Sequence, residues 1–170
     1  IDVMIDEAAV DNRIKELGKQ ISRDYAGREV YLIGILKGSV YFTCELAKRI
    51  TVPVIMDFMQ CSSYGAATKS SGVVKLSKDL DMAITDRDVI IIEDIIDSGR
   101  TLSHLKDLLS QRNPASLKIC TLLDKPSRRV VDVDVDYTGF QIEDKFVIGY
   151  GLDYDQLYRN LPYIGVVEFD

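Results

Sequence analysis

Residues 89–101 carry the pattern that most constrains the fold. Four consecutive aliphatic residues, Val89 to Ile92, are followed by Glu93 and Asp94, and a short turn then leads into a stretch with leucines at helical spacing. A continuous aliphatic run is typical of a parallel strand that is buried on both faces. The pattern therefore predicts a strand, a loop at its carboxyl end and a helix, which together form the repeating unit of an α/β sheet.

The loop between that strand and helix is predicted to bind a phosphorylated sugar. In open α/β sheets ligands bind at the carboxyl ends of the strands, and backbone N–H groups at the start of a helix can hold a phosphate. Ser98 and Thr101 add hydroxyl donors, whereas Glu93 and Asp94 can accept hydrogen bonds from a sugar diol. Helix capping alone would need only one acid or hydroxyl. Three acids, two hydroxyls and a glycine within nine residues favour the binding site.

Composition and charge indicate one soluble enzyme domain over residues 1–170. The chain is 46% apolar and 28% charged, its aliphatic runs are too short to span a bilayer, and its first residues lack the basic segment of a secretory signal. We therefore expect a cytoplasmic protein with no membrane partner. The net charge of −6 disfavours nucleic acid as a partner, because that binding relies on clustered Lys and Arg. The three cysteines are too widely spaced to indicate a zinc site or a disulfide framework.

The other periodic segments predict alternating helices and strands. The expected helices lie around 10–21, from a Ser39 N-cap to about 50, and after 101; the expected strands lie at 30–36, 54–61, 117–123, 131–140 and 146–149, with a closing segment from 166. This order indicates an α/β fold with a mainly parallel central sheet, flanking helices and a small irregular cap. The long polar loop at 62–72 is a candidate flexible lid.

Segments in the same order over nearly the whole chain resemble the bacterial-type hypoxanthine-guanine phosphoribosyltransferase family. Residues 89–101 match the family's motif for phosphoribosyl pyrophosphate (PRPP): aliphatics, two acids, two aliphatics, then Asp, Ser or Thr, Gly, a variable residue and Thr. The further matching segments are 36–38, 62–65, 122–125, 146–154 and 158–162. The resemblance implies a type I phosphoribosyltransferase fold and Mg²⁺-dependent transfer of phosphoribosyl from PRPP to hypoxanthine or guanine. The products would be IMP or GMP and pyrophosphate, in purine salvage.

The resemblance also implies which residues hold PRPP. Glu93 and Asp94 would hold the ribose diol. Asp97 would approach the imidazole side of the base and shuttle a proton there, a task that suits a carboxylate if partial burial moves its pKa toward the working pH. Its alternative role is only to cap the following helix. The residues expected at the 5′-phosphate are Asp97, Ser98, Gly99, Arg100 and Thr101, with no individual role for Arg100; those expected at pyrophosphate are Leu36, Lys37, Gly38 and Arg159, with a cis Leu36–Lys37 peptide.

The base, the metal and the lid are assigned in the same way. Lys125 would donate a hydrogen bond to the exocyclic oxygen at purine position 6, which an adenine amino group could not accept. Phe146 would stack on the purine, and the backbone of Val147 would meet its Watson–Crick edge. The remaining implied roles are Asp153 near the purine, Glu93, Asp94 and Asp153 as candidate ligands of the Mg²⁺ cofactor, and Ser63 and Tyr64 in the lid loop.

Three alternatives stay open from the sequence. An RNA regulator with this fold would need a basic face, which the net acidity disfavours. A phosphoacceptor receiver domain would account for an acid after a buried strand but not for Lys125, Phe146 and Arg159. A relative that prefers xanthine or adenine is the closest alternative, and Lys125 argues only against adenine. The sequence does not decide among hypoxanthine, guanine and xanthine, nor between the homodimer and the homotetramer that we expect.

Overall fold

The structure is a computed structural model that describes residues 1–63 and 74–169. Its strands are β1 (Asp2–Ile5), β2 (Val30–Leu36), β3 (Val54–Ser63), β4 (Val74–Lys78), β5 (Asp88–Ile96), β6 (Ser116–Asp124), β7 (Tyr137–Gln141), β8 (Val147–Ile148) and β9 (Ile164–Val166). Its helices are α1 (Glu7–Asp24), α2 (Val40–Ala47) and α3 (Arg100–Ser110), and a short 3-10 turn follows β6 at Pro126–Arg128. No helix in these two ranges is both long enough and apolar enough to cross a membrane.

A six-stranded sheet with the order β4-β3-β2-β5-β6-β7 forms the centre of the fold. All neighbouring strands in it are parallel except β3 and β4. A separate antiparallel sheet with the order β1-β9-β8 forms the cap. The predicted α/β fold with a mainly parallel sheet and a small cap is therefore confirmed.

The aliphatic run in β5 is buried on both faces of the sheet, as its composition predicts. Ile90 and Ile92 pack in the core under α1 and α2, whereas Val89 and Ile91 pack in the core under α3. All four side chains are fully buried. Because β2 and β6 flank β5 in parallel, the residues that follow these three strands meet at one edge of the sheet.

Helix α1 covers one face of the sheet with an apolar stripe. Val10, Ile14, Leu17 and Ile21 lie on that stripe and are buried, and burial of each contributes about 1.5–3 kcal/mol. Asp6 begins the helix by accepting a hydrogen bond from the Ala9 N–H at 2.8 Å. The predicted helix is confirmed and extends further at both ends.

The strand predicted at 131–140 is wrong over its first half. Residues 131–136 alternate Val and Asp, a strand-like pattern, but the Val131 N–H donates to the Ser98 carbonyl and Val133 and Val135 pack against the core under α3. Pairing with β6 begins only at Tyr137. The segment thus closes over the loop of residues 97–101, which is predicted to hold the phosphate and is called the phosphate loop below, and does not extend the sheet.

Smaller boundaries also differ from the predictions. Helix α2 ends at Ala47. Ser39 stands at its N-cap as predicted, but the Ser39 hydroxyl accepts from Thr43 Oγ1 and makes no capping hydrogen bond to a backbone N–H. The backbone of Ser62 and Ser63 belongs to β3 and not to the lid loop. In the cap, β8 covers only Val147–Ile148 and β9 is Ile164–Val166, while β1 had no prediction because four residues are too few to show a period.

Candidate active site

The site is built at the carboxyl ends of three adjacent strands. Leu36 ends β2, and Lys37 and Gly38 begin the turn that follows it; the Leu36–Lys37 peptide is cis, as predicted. Gly38 lies so close to the acids of β5 that a Cβ built on it would stand 1.8 Å from Asp94 Oδ2. Only a residue without a side chain fits there, and the absence of a side chain brings the turn against the acid pair.

The loop from Asp97 to Thr101 encloses a small cavity with its hydroxyls and N–H groups. Gly99 adopts a left-handed φ of 84° before α3 begins. The first intrahelical hydrogen bond runs from the Ser103 N–H to the Gly99 carbonyl at 2.9 Å, so the helix does not use the Thr101 and Leu102 N–H groups. The cavity is about 250 Å³ in volume and is lined by Glu93, Ile95, Ile96, Asp97, Ser98, Gly99, Thr101, Leu102 and Leu105.

Glu93, which lines this cavity (called the crevice below), and the neighbouring Asp94 form an acid pair. Burial and the neighbouring Asp94 carboxylate raise the pKa of Glu93 well above its usual range. Burial also raises the pKa of Asp94, against the lowering effects of the Ile95 N–H, which it accepts at 2.7 Å, and of the Arg159 charge. Both side chains are only partly exposed. The pair therefore holds a proton more readily than two separate carboxylates, which suits hydrogen bonding to hydroxyl groups.

Lys125 lies beside Asp97, where the end of β6 meets the phosphate loop. The residue is 8% exposed, and its ammonium is 3.4 Å from Asp144 Oδ1 and 3.9 Å from Asp97 Oδ1. The two carboxylates compensate a buried cation and fix where it points. The Asp97 side chain is 48% exposed, so the partial burial expected for it is absent. The structure does bring the predicted base-reading lysine and the predicted proton-transfer acid together.

Arg129 holds the phosphate loop in place and was missed in the sequence. Its guanidinium donates to the Asp97 carbonyl at 2.8 Å and to Asp124 Oδ1 at 2.7 Å. Asp124 is 5% exposed at the end of β6, so this ion pair is largely removed from water. The signal in the sequence was an acid ending a buried strand five residues before an arginine, but such a pair has no regular spacing that would reveal it.

Phe146 and Val147 lie on the cap, where Val147 begins β8. Phe146 is 44% exposed, and its ring packs edge-on against Tyr154 and Phe169 with centroids 5.6 Å apart in each case. The Phe146 carbonyl accepts from the Val167 N–H. Because polar groups of successive residues alternate between the two sides of a strand, the Val147 N–H and carbonyl point away from β9. The exposed ring of Phe146 is therefore followed directly by the backbone polar groups of Val147, which β9 does not use.

Lys37 and Arg159 meet at one glutamine. The Gln156 side-chain oxygen accepts from Lys37 Nζ and from Arg159, each at 3.4 Å, while the Gln156 N–H donates to Asp153 Oδ2 at 2.9 Å. Arg159 also lies 3.6 Å from Asp153 Oδ1 and donates to the Gly151 carbonyl at 2.6 Å. Two cations and one carboxylate from distant parts of the chain are thus gathered. Gln156 had no prediction.

The predicted lid falls mostly outside the described residues. Tyr64 lies there entirely. For Ser63 the structure gives the backbone, which pairs with Val74 at the end of β3.

Comparisons with known proteins agree with this geometry. Residues 5–155 match the phosphoribosyl transferase domain. A hypoxanthine phosphoribosyltransferase from Salmonella typhimurium is 53% identical over 169 residues, which cover 98% of this chain and 95% of that protein. This chain belongs to the hypoxanthine-guanine phosphoribosyltransferase family. It is therefore an enzyme of the type I phosphoribosyltransferase fold, as the PRPP motif predicted.

Two solved structures of this phosphoribosyltransferase family superpose closely on the chain. A hypoxanthine-guanine phosphoribosyltransferase from Bacillus anthracis has a TM-score of 0.97 and 49% identity and covers 99% of both chains. A hypoxanthine phosphoribosyltransferase from Trypanosoma cruzi, in complex with the product IMP, has a TM-score of 0.93 and 42% identity, covering 98% of this chain and 93% of that one. The family resemblance thus extends through the cap as well as the central sheet.

Proposed function

We propose that this chain transfers the phosphoribosyl group of PRPP to hypoxanthine and to guanine, forming IMP or GMP and pyrophosphate in purine salvage, with Mg²⁺ as cofactor. The observation that carries the proposal is that Glu93 and the phosphate loop line one cavity, and that Asp97 in this lining stands 3.9 Å from the buried ammonium of Lys125. The names of the relatives from Salmonella typhimurium and Bacillus anthracis agree with this choice of bases.

The sugar phosphate fits the loop by its donors and acceptors. The unused N–H groups at the start of α3 and the hydroxyls of Ser98 and Thr101 suit the 5′-phosphate, whose charge the helix dipole also favours. Glu93 and Asp94 stand at the opposite end, where they would repel a phosphate but accept hydrogen bonds from the ribose hydroxyls. This polarity orients PRPP in one direction. The anomeric carbon then faces the turn that contains Gly38.

The base is selected by Lys125 and deprotonated or protonated by Asp97. With Asp97 and Asp144 on one side, the Lys125 ammonium keeps a donor for the oxygen of a 6-oxopurine. Asp97 is close enough to Lys125 to reach the imidazole side of the same base and to exchange a proton there as the ring nitrogen attacks. Phe146 offers a face for stacking, and the free Val147 edge offers a donor and an acceptor to the Watson–Crick side.

Pyrophosphate leaves toward Lys37 and Arg159. The forked guanidinium of Arg159 suits phosphate oxygens, and Gln156 holds both cations in position until an anion takes its place. Cations at this position stabilise negative charge as it develops on the leaving group. The two residues come from separate segments of the chain that Gln156 already joins, and pyrophosphate would take over the contacts of Gln156.

The carboxylates fit Mg²⁺ that arrives with its substrate. Mg²⁺ prefers oxygen ligands and usually keeps several waters, using one or two carboxylates and substrate phosphates. Within the described residues no three His, Cys, Asp or Glu side chains form a group that could hold a metal alone. Asp153, with Glu93 and Asp94, would therefore supply only part of the coordination. When bound, the ion neutralises charge on pyrophosphate.

One assay tests the proposed reaction. Purified protein with PRPP and Mg²⁺ is offered hypoxanthine, guanine, xanthine and adenine separately, and the nucleotide product is quantified, with a parallel series in excess EDTA. We expect IMP and GMP to form only where Mg²⁺ is present, and adenine to be rejected. Product from adenine but from neither 6-oxopurine, or full activity in EDTA, would contradict the base or the metal assignment respectively.

A further inference from the structure

The turn that contains Gln156 has a backbone conformation that favours glycine. Tyr154 and Leu157 exchange two backbone hydrogen bonds, each at 3.0 Å, and enclose Asp155 and Gln156. Both enclosed residues have positive φ, 51° and 68°, which is the pattern of a type I′ hairpin turn. Asp is a usual residue at the first of these positions, whereas glycine is the usual residue at the second. Gln156 therefore stands where a residue without a side chain would be less strained.

The turn itself does not require the Gln156 side chain. The Gln156 N–H donates to Asp153 Oδ2 at 2.9 Å, and a glycine would keep that hydrogen bond. A glycine would lose the contacts of the side-chain oxygen, which accepts from Lys37 Nζ and from Arg159 Nη2, each at 3.4 Å. In the part of the chain that the structure describes, the side chain makes no other hydrogen bond. The side chain at this strained position therefore contacts two cations and no part of the turn.

The two cations depend on Gln156 to different degrees. Arg159 also donates to the Gly151 carbonyl at 2.6 Å and lies 3.6 Å from Asp153 Oδ1. Lys37 is exposed, and within residues 1–63 and 74–169 its ammonium has no hydrogen-bond or ion-pair partner other than Gln156. A lysine side chain loses rotamer freedom when an anion fixes it, and a contact that already restrains it reduces that loss. Gln156 therefore affects anion binding mainly through Lys37.

Arg159 gives a separate sign that an anion binds beside Gln156. Its Nε is buried, and among the described residues it has no hydrogen-bond partner. Buried polar groups normally have a partner. Nη1 and Nη2 are bonded to protein oxygens, so Nε is a donor left for a ligand, and phosphate oxygens suit the guanidinium fork. The Gln156 carboxamide oxygen is neutral, so an anion can replace it at both cations.

We propose that Gln156 is a positioning residue for the pyrophosphate group of PRPP and acts by holding the Lys37 ammonium beside Arg159 before PRPP binds. PRPP as the ligand comes from the function proposed above, on which this role rests. Removal of the side chain should then make the turn more stable and PRPP binding weaker. A side chain with only a structural role would not show these opposite effects.

Isothermal titration calorimetry of Gln156→Gly with PRPP and Mg²⁺, in the absence of a purine base, tests this role. We expect the Kd for PRPP to rise about fivefold, because the lysine is no longer restrained before binding. The Kd for IMP, which has the same 5′-phosphate and ribose but no pyrophosphate, should stay unchanged. The midpoint of urea unfolding should shift to a higher urea concentration, since glycine relieves the strain of the positive φ.

Two further variants decide how the side chain acts. Lys37→Met keeps a long side chain but removes the charge, and Gln156→Gly in that background should cause no further weakening of PRPP binding. Asn113→Gly is the matched control, because it also removes a carboxamide at a positive φ, here 60°. The Asn113 carbonyl accepts from the Asp86 N–H ahead of β5, at the opposite end of that strand from the site. This variant should leave the Kd for PRPP unchanged.

An unchanged Kd for PRPP in folded Gln156→Gly would overturn the positioning role. Equal weakening of PRPP and IMP, or a further loss of the same size in the Lys37→Met background, would overturn it too. The assay for nucleotide formation separates this failure from failure of the proposed function. A wild-type chain that forms IMP while Gln156→Gly binds PRPP normally would refute the positioning role alone. A wild-type chain whose PRPP binding depends on Gln156 but which forms no nucleotide would refute the proposed reaction alone.

Discussion

At the scale of single residues, the proposed chemistry rests on two charged side chains, those of Lys125 and Asp97, that are held by their neighbours. Lys125 is positioned by Asp97 and Asp144, and Asp97 is in turn held through its carbonyl by Arg129. The functional atoms are thus placed by ion pairs and not by packing alone. Replacement of one member should change the chemistry more than it changes the fold.

Asp97→Asn should slow turnover about 100-fold, because an amide cannot exchange the proton that general acid–base catalysis requires. PRPP binding should stay nearly intact, since the backbone N–H groups of the loop are unchanged. Steady-state kinetics with PRPP titrations measure both quantities. Asp107→Asn, on the exposed side of α3, is the control. A turnover equal to wild type would remove the proton-transfer role from Asp97.

Lys125→Ala should weaken the preference for hypoxanthine over adenine by a factor of about 10 to 100, which corresponds to the loss of one hydrogen bond from a charged donor. Competition between the two bases, followed by separation of the nucleotides, measures the ratio. Lys145→Ala is the matched control, because that ammonium pairs with Glu143 at 3.9 Å and not with Asp97. Undiminished discrimination in Lys125→Ala would show that another group reads the base.

At the scale of elements, the site depends on how closely one turn approaches one strand. Gly38 brings the turn after β2 against Asp94, and Gly99 lets the phosphate loop reverse before α3. Both glycines stand where strands end, at positions fixed by the parallel sheet. The geometry of the candidate site therefore depends on the strand order β2-β5-β6.

Gly38→Ala should raise the KM for PRPP about tenfold and lower the free energy of unfolding by about 1–3 kcal/mol, because its Cβ would overlap Asp94. Kinetics and denaturant unfolding measure the two effects. Gly34→Ala, earlier in β2, crowds Thr43 Oγ1 at 2.6 Å inside the core and should lower stability without a selective change in KM. A wild-type KM in Gly38→Ala would mean that the approach of turn and strand does not matter.

The strands and helices also show how much of the structure could be predicted from the sequence. The β5 strand, its acids and the helix after them follow from local patterns, since burial on two faces demands continuous aliphatics. The failure at 131–136 came from a Val-Asp alternation that packs over the phosphate loop without pairing. Gln156 and Arg129 were missed because their contacts join residues that no sequence period relates. Single strands and helices could thus be predicted from the sequence, whereas the contacts of Gln156 and Arg129 could be found only in the tertiary structure.

At the scale of the whole molecule, the buried acid pair couples folding to pH. The folded-state pKa of Glu93 lies above its ordinary value of 4.5, so the folded chain binds this proton more tightly than the unfolded chain does. The contribution of Glu93 to stability is therefore greatest below pH 4.5 and is lost as the pH rises through the raised pKa. The pair therefore makes the fold less stable at neutral pH, at the place where we propose that the ribose diol binds.

Glu93→Gln should remove this loss, so its free energy of unfolding relative to wild type should increase as the pH rises from about 4.5. Urea unfolding at a series of pH values measures the difference. The Arg112 hydrogen bonds lower the pKa of Asp79 below its ordinary 3.8, so wild type loses that stabilisation as the pH falls. The difference in the free energy of unfolding between Asp79→Asn and wild type should therefore depend on pH in the opposite direction. A pH-independent difference between wild type and Glu93→Gln would contradict the shared-proton account.

The assembly belongs to this scale too, and a homodimer or homotetramer stays a prediction. The proposed reaction, however, needs only one crevice in one chain. A crystal structure of the protein soaked with IMP tests how that crevice binds the nucleotide. We expect the 5′-phosphate in the loop from Asp97 to Thr101, both ribose hydroxyls on Glu93 and Asp94, and the base oxygen within hydrogen-bond distance of Lys125 Nζ. IMP bound elsewhere, or bound with its phosphate at the acid pair, would contradict it.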